Sequence, residues 1–252
     1  VDHFENIELD KKKPGNDIPD IYYAVYQNII AISLFNHEAH LFSHIYDGGH
    51  NLNDVEALLT SKKNSHFNFK KVGEKSSNLS DEQFIEFVKK AKDHCYRGDV
   101  FQLVLSRRFS QGFKGDEFNV YRTLRSINPS PYLFFFDYGY FRIFGSSPEA
   151  QLIVQDNKAE IHPIAGTFRR TGDDEKDAKA AEALAKDPKE NSEHVMLVDL
   201  ARNDLSRNGS KVEVEKNREV QFYSHVIHLV SKVTCKMKKS AKTFRVVADT
   251  FP

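Results

Sequence analysis

The apolar positions of this chain fall at two spacings, one suited to strands and one to helices. Residues 23–33 and 39–45 are apolar and β-branched, and Asn36, His37 and Glu38 between them predict a hairpin turn. Val55, Leu58 and Leu59 recur at helical spacing within 53–61. Residues 62–79 are polar and rich in Lys, Asn and Ser, which predicts an exposed connector. It is the expected internal boundary, with an N-terminal region of hairpin and helix over 1–72 and a core over 80–252. Ser80 then opens a helix, Gln83 completes a capping box with it, and Phe84, Phe87, Val88 and Ala91 form the face expected to be buried.

Beyond Gly98 and Asp99, residues 100–105 form a strongly β run. A short helix over 119–127 leads through the proline-punctuated loop Asn128, Pro129, Ser130, Pro131 into a strand over 132–136. A turn at Tyr138–Gly139–Tyr140 leads on to residues 141–145, and Asp156–Asn157 separates two further strands. Residues 173–186 are Ala- and Lys-rich and helical, Asp187–Pro188 breaks them, and a second helix covers 189–206. Strands over 211–214 and 226–233 and a helix from about 240 complete the pattern. Strands gathered as hairpins with helices between them predict an α+β fold of stacked antiparallel β-sheets with outer helices.

Composition narrows the class. The chain has 252 residues, 40% hydrophobic, with 20 Phe and 10 Tyr, enough for a substantial core. Lys plus Arg and Asp plus Glu both number 36, so the basic excess of a general nucleic-acid binder is missing. No apolar run approaches the roughly 20 residues that cross a bilayer, so no membrane partner is expected. Cys95 and Cys235 are too few and too distant for a disulfide framework and are expected to be reduced. A cytoplasmic protein is the expectation, and a start at Val1 rather than Met predicts a piece of something longer.

Candidate chemistry is sparse. Glu190, Glu193, Leu197 and Leu200 share one stripe of the second helix. Two carboxylates one turn apart suit a hard cation such as Mg2+, which takes oxygen ligands and keeps several waters. Equally, both could sit exposed in a first helical turn, where the helix dipole favours negative charge. His228 shares a strand face with Val226 and Val230, the usual setting of a core histidine. Glu149 follows Ser147–Pro148 at a strand entry. No cysteine or carboxylate partners stand at zinc-finger spacing from the pairs His40 and His44 or His225 and His228, so zinc is not expected, and no phosphate-cradling glycine loop occurs.

Six strings in order resemble the chorismate-utilising enzymes: Arg97 to Gln102, Asn128 to Tyr132, Ser146 to Glu149, Pro163 to Thr167, Lys189 to Leu205, and Ser224 to Ser231. They run through the last two-thirds of the chain. Isochorismate- and salicylate-forming members carry Lys where Gln102 stands, and Gln cannot activate water as a base. Aminodeoxychorismate-forming members typically carry Lys at the Ala165 position, and Ala165 cannot make a covalent adduct. The resemblance therefore implies ammonia as nucleophile and anthranilate as product, the large-subunit branch that starts tryptophan biosynthesis. An aminodeoxychorismate-forming subunit and a non-catalytic binding module of the same fold stay open as alternatives.

The resemblance also implies roles. Glu193 is similar to a Mg2+ ligand and Glu190 to its neighbour at the metal; Glu149 matches the acid that protonates the departing ring hydroxyl, which requires a raised pKa. Gly166 and Thr167 match substrate contacts, with Ala165 beside them. His228 matches a histidine needed for turnover, and Gln102 lies where the nucleophile is chosen. The loop of Asn128, Pro129, Ser130 and Tyr132 resembles part of a tryptophan feedback site. Chorismate, a glutamine amidotransferase subunit and tryptophan as inhibitor are the implied partners. Family members continue well past the Phe251–Pro252 string, so this chain is expected to hold part of the site and to be inactive alone.

Overall fold

The computed structural model describes residues 18–19, 21–46, 52–61 and 67–251. They form two compact units that divide between Asn119 and Val120, so the units do not follow the expected boundary at 72–80.

The first unit opens with β1 (Asn28–Ile32) and β2 (Ala39–Ser43), an antiparallel hairpin in which Ile32 faces Ala39. His37 takes the positive φ of 58° that the turn needs, as its sequence position predicts. After α1 (Leu52–Thr60) come β3 (Lys70–Ser77), α2 (Asp81–Arg97) and β4 (Phe109–Lys114). The capping box at the start of α2 forms as read: Ser80 Oγ accepts from Gln83 N at 3.2 Å and Gln83 Oε1 accepts from Ser80 N at 2.9 Å. Gly98 closes the helix at φ 78°, its N–H donating to the Cys95 carbonyl while the N–H of Asp99 donates to the His94 carbonyl.

Three expectations fail in this unit. Residues 70–77 of the supposed connector are strand β3, paired antiparallel with β4 across the intervening helix. Both faces of that two-stranded ribbon are largely exposed, so it carries no apolar alternation to read. Residues 100–105 are not a strand but an irregular segment, with Phe101 94% exposed, because no described strand pairs with them. The apolar face of α2 is not buried either. Phe84, Val88 and Ala91 line an open groove with Leu103 and Leu105 instead.

α3 (Phe118–Ile127) crosses the division, and the second unit continues with the hairpin β5 (Tyr132–Asp137)–β6 (Arg142–Ser147). Next comes β7 (Ile153–Gln155)–β8 (Lys158–Ile161), whose two-residue turn sets Asp156 at φ 49° and Asn157 at φ 62°, the primed geometry that matches strand twist. β9 (Ile164–Arg169), α4 (Asp174–Lys186), α5 (Pro188–Asn208), β10 (Gly209–Phe222), β11 (Val226–Met237) and α6 (Thr243–Asp249) follow. The sheet runs β10–β11–β8–β7, with β9 also pairing β11. β11 is long enough to hold two partners on one edge: residues 233–236 pair with β8 and residues 226–230 with β9. All pairings among the described residues are antiparallel, as the α+β reading expects. β10 and β11 extend past the expected 211–214 and 226–233, because the mostly exposed face of β10 offers no apolar pattern.

Ala159, Val198, Ala201, Leu205, Val233, Cys235, Met237 and Val246 form one core cluster, and Ala181, Leu184, Ile227 and Leu229 a second. The inward face of α5 is therefore His194, Val198, Ala201 and Leu205, not the expected stripe through Glu190, Glu193, Leu197 and Leu200. Leu200 is 51% exposed. The two stripes lie side by side on the helix, and only the sheet it meets chooses between them. Cys95 and Cys235 are both free thiols.

Candidate functional site

The site is built where β9 meets β11. Thr167 faces His228 and Ala165 faces Leu229, so Gly166 is an unpaired extra residue and forms a bulge. Its φ of 75° belongs to glycine. Space demands glycine as well: a Cβ there would lie 3.1 Å from Leu184 Cδ1 and 3.4 Å from both Glu190 Cβ and Leu229 Cδ1. The bulge brings the Gly166 carbonyl to 3.2 Å from His228 Nδ1, and Thr167 Oγ1 lies 3.1 Å from the same nitrogen. A carbonyl can only accept, so Nδ1 is the nitrogen that carries a hydrogen here. Ala165, just before the bulge, is buried.

Tyr223 packs edge-on against the His228 ring, with centroids 5.2 Å apart at 71°. Its phenol donates to Gln221 Oε1 at 3.1 Å. Burial, then the nearby charge of Glu149, raises the Tyr223 pKa. Tyr223 is a member of this site that sequence reading missed; its only signal was its place directly before the Ser224 string.

Glu149 follows β6 in a tight turn closed by Ser147, whose Oγ accepts from Glu149 N at 3.2 Å and donates to Glu149 O at 2.8 Å. The residue keeps exposed surface, but burial on its inner side pushes the carboxyl pKa up. That side lines a cavity of about 640 Å³ with Pro163, Leu197, Leu200, Asp204 and Thr250. Asp204 is also raised by burial, against the pull of Arg207 at 3.8 Å.

Glu190 and Glu193 stand in the first turns of α5, whose start is set by Asp187 accepting from Lys189 N at 2.9 Å and Glu190 N at 3.0 Å. Glu190 is half-buried under Gly166 and ion-paired to Lys189 at 3.4 Å, while Glu193 is exposed. Among the described residues, no three His, Cys, Asp or Glu side chains gather as a metal site. Two carboxylates one turn apart fit Mg2+ as part of a ligand set that substrate and water oxygens complete.

His194, inside the string that carried the resemblance but given no role there, is fully buried. Burial is the main cause that lowers its pKa. Its Nε2 lies 2.7 Å from Ser231 Oγ on β11.

The loop before β5 is tied to the turn between β10 and β11. Ser224 Oγ donates to the Pro129 carbonyl at 3.1 Å, and His225 Nε2 bonds the Ile127 carbonyl. Ser146 Oγ lies 2.6 Å from the Asn128 carbonyl and 2.7 Å from Ser130 Oγ. Pro129, Ser130 and Pro131 line a shallow cavity of about 540 Å³ with Arg170 and Tyr223, and Tyr132 starts β5. Gln102 belongs to the first unit, exposed on the irregular segment after α2. Among the described residues, no helix is long and apolar enough to cross a membrane.

Comparison with known proteins adds a second line of observation. A family model described as chorismate binding enzyme matches residues 1–252. Anthranilate synthase component 1 of Aquifex aeolicus is 44% identical over 178 residues, 70% of this chain and 36% of that protein. The Lactococcus lactis protein of the same name is 35% identical over 265 residues, 99% of this chain and 57% of that protein. The crystal structure of anthranilate synthase component I from Streptococcus pneumoniae superposes with a TM-score of 0.75 at 31% identity, covering 90% of this chain and 53% of that one. A putative 2,3-dihydroxybenzoate-specific isochorismate synthase from Bacillus anthracis shares the fold, with a TM-score of 0.63 at 20% identity. The chain thus spans between about a third and just over half the length of the relatives it matches.

Proposed function

Because this chain belongs to the chorismate-binding enzyme family, we propose that the protein carrying it converts chorismate and ammonia to anthranilate, pyruvate and water. The observation that carries the reading is Glu149, a carboxyl whose pKa is raised by burial, neighbouring Tyr223 and through it His228. Loss of a ring hydroxyl needs a proton donor, and a raised pKa keeps a larger protonated fraction near neutral pH. Glu149 gives that proton, and the hydroxyl departs as water. Ammonia then bonds to the ring; Gln102 has no basic nitrogen and does not generate hydroxide from water.

Gly166 and Thr167 contact the substrate beside the bulge. His228, oriented through Nδ1 by the Gly166 carbonyl, serves the later loss of pyruvate. Glu193, with Glu190 next to it, would hold Mg2+, which when bound supplies positive charge to the ring carboxylate and draws electron density from the ring. In this reading ammonia comes from glutamine through an amidotransferase subunit, the setting is tryptophan biosynthesis in the cytoplasm, and tryptophan inhibits through the Asn128–Tyr132 loop. The names of the similar proteins and the six motif strings support it.

The test is anthranilate fluorescence from the full-length protein given chorismate, Mg2+ and ammonia, with the products separated. Anthranilate and pyruvate in equal amounts are expected; isochorismate or 4-amino-4-deoxychorismate as the product would overturn the reading.

A further inference from the structure

We propose that His194 is a positioning residue that holds the Glu190–Glu193 end of α5 in place against β9 and β11, an inference that rests on the function proposed above. Four observations carry it. His194 has no exposed surface, although it stands next to exposed Glu193 and one turn after Glu190. Its Nε2 lies 2.7 Å from Ser231 Oγ, and Ser231 is three residues beyond His228 on β11. Ser231 Oγ also accepts from the backbone N–H of Arg218 on β10 at 2.9 Å. Finally, the ring lies against the backbone of Ala165, the residue before the Gly166 bulge, while Nδ1 closes no well-formed hydrogen bond among the described residues.

The proton assignments follow. With the Arg218 N–H occupying one lone pair of Ser231 Oγ, the hydroxyl hydrogen has two acceptors in reach, and it points at His194 Nε2 at 2.7 Å rather than at Asn217 Oδ1, which lies at the 3.5 Å limit of a hydrogen bond. Nε2 is then the acceptor, and Nδ1 carries the ring hydrogen on the Ala165 side. A helix, two strands and the substrate segment thus meet at one buried ring. A leucine of similar size would fill the same space without a polar atom to desolvate. What imidazole adds is direction: a short bond to one hydroxyl fixes the rotation and height of α5 on the sheet. Height matters, because Glu190 Cβ already lies against the space above Gly166, and any slide of α5 carries both carboxylates with it.

The experiment uses three variants of the full-length protein. His194→Phe keeps the ring and removes the bond, Ser231→Ala removes its partner from the other side, and Ser231→Thr keeps the hydroxyl. Mg2+ binding is titrated by calorimetry with chorismate present and ammonia withheld, so no turnover is needed. Expected is Mg2+ affinity weakened about tenfold in His194→Phe and Ser231→Ala, with near-parental affinity in Ser231→Thr. Thermal melting is followed alongside. Lower melting temperatures with unchanged Mg2+ affinity would make His194 a core residue only and overturn the proposal. Should His194→Phe not fold, Ser231→Ala decides alone, since it leaves the imidazole in place. A parent protein that binds Mg2+ and makes anthranilate, beside insensitive variants, sinks the role of His194 alone. A parent that does neither sinks the function reading and this role together.

Discussion

Thr167 and His228 face each other across β9 and β11, with Oγ1 3.1 Å from Nδ1. That pairing exists because Gly166 drops out of the ladder between Thr167 and Ala165. Without the bulge, a regular ladder would send the Gly166 carbonyl elsewhere, and His228 Nδ1 would lose one of its two oxygen neighbours. The orientation of the imidazole is thus decided by a residue with no side chain.

Gly166→Ala tests this directly. The new Cβ is forced into left-handed backbone, which costs an L-residue about 1–2 kcal/mol, and it presses on Leu184 Cδ1 at 3.1 Å. Thermal denaturation should show the variant destabilised by at least that amount, with anthranilate formation in the full-length protein reduced. A variant as stable as the parent would mean that the bulge relaxes into a regular ladder at no cost.

Glu149→Gln keeps the shape of the side chain and removes its proton. In the full-length protein, chorismate should still bind while single-turnover amination falls by about two to four orders of magnitude, the usual contribution of a positioned acid. The stability consequence runs the other way. A carboxyl whose folded pKa lies above its unfolded value weakens the fold as pH rises through that range. At neutral pH the melting temperature of Glu149→Gln should therefore not fall below the parent's. Amination near the parental rate would remove Glu149 from the reaction.

Glu193→Ala separates the two readings of the α5 carboxylates. The side chain is exposed, so stability should stay within about 0.5 kcal/mol of the parent. Mg2+-dependent anthranilate formation should nevertheless be lost in the full-length protein. Normal turnover at ordinary Mg2+ concentrations would leave Glu193 as a solvated residue of the first helical turns.

Asp177 predicts an acid-dependent stability unrelated to catalysis. Its carboxylate accepts from Thr171 N at 2.7 Å, Thr171 Oγ1 at 2.9 Å and Arg170 Nε at 2.9 Å, and these partners lower its pKa from 3.8 to about 2. A depressed folded pKa stabilises above the unfolded value and is lost as pH falls through the folded one. Asp177→Asn should accordingly melt lower than the parent at pH 6, and the gap should close between about pH 4 and pH 2. Parallel melting curves across that window would show that the ion pair with Arg170 contributes nothing to the fold.

Signals carried within a few residues were legible in the sequence by itself. The turn at His37, the Asp156–Asn157 hairpin, the Ser80–Gln83 capping box and the break at Asp187–Pro188 each depend on backbone geometry and hydrogen bonds inside one turn. The motif strings, with Gly166 and the two α5 carboxylates, were equally plain as residues, though not as an arrangement. Tertiary structure alone decided what each face met. Residues 100–105 have the composition of a strand but no described partner to complete their hydrogen bonds, while the polar β3 finds β4 across a whole helix. On α5 two adjacent stripes could have turned inward, and the sheet selected the one through His194 rather than the one through Glu193. Tyr223 joins His228 only because the β10–β11 turn folds it back onto that ring. Strand pairing and burial are contacts between residues far apart in the chain, so no local pattern states them in advance.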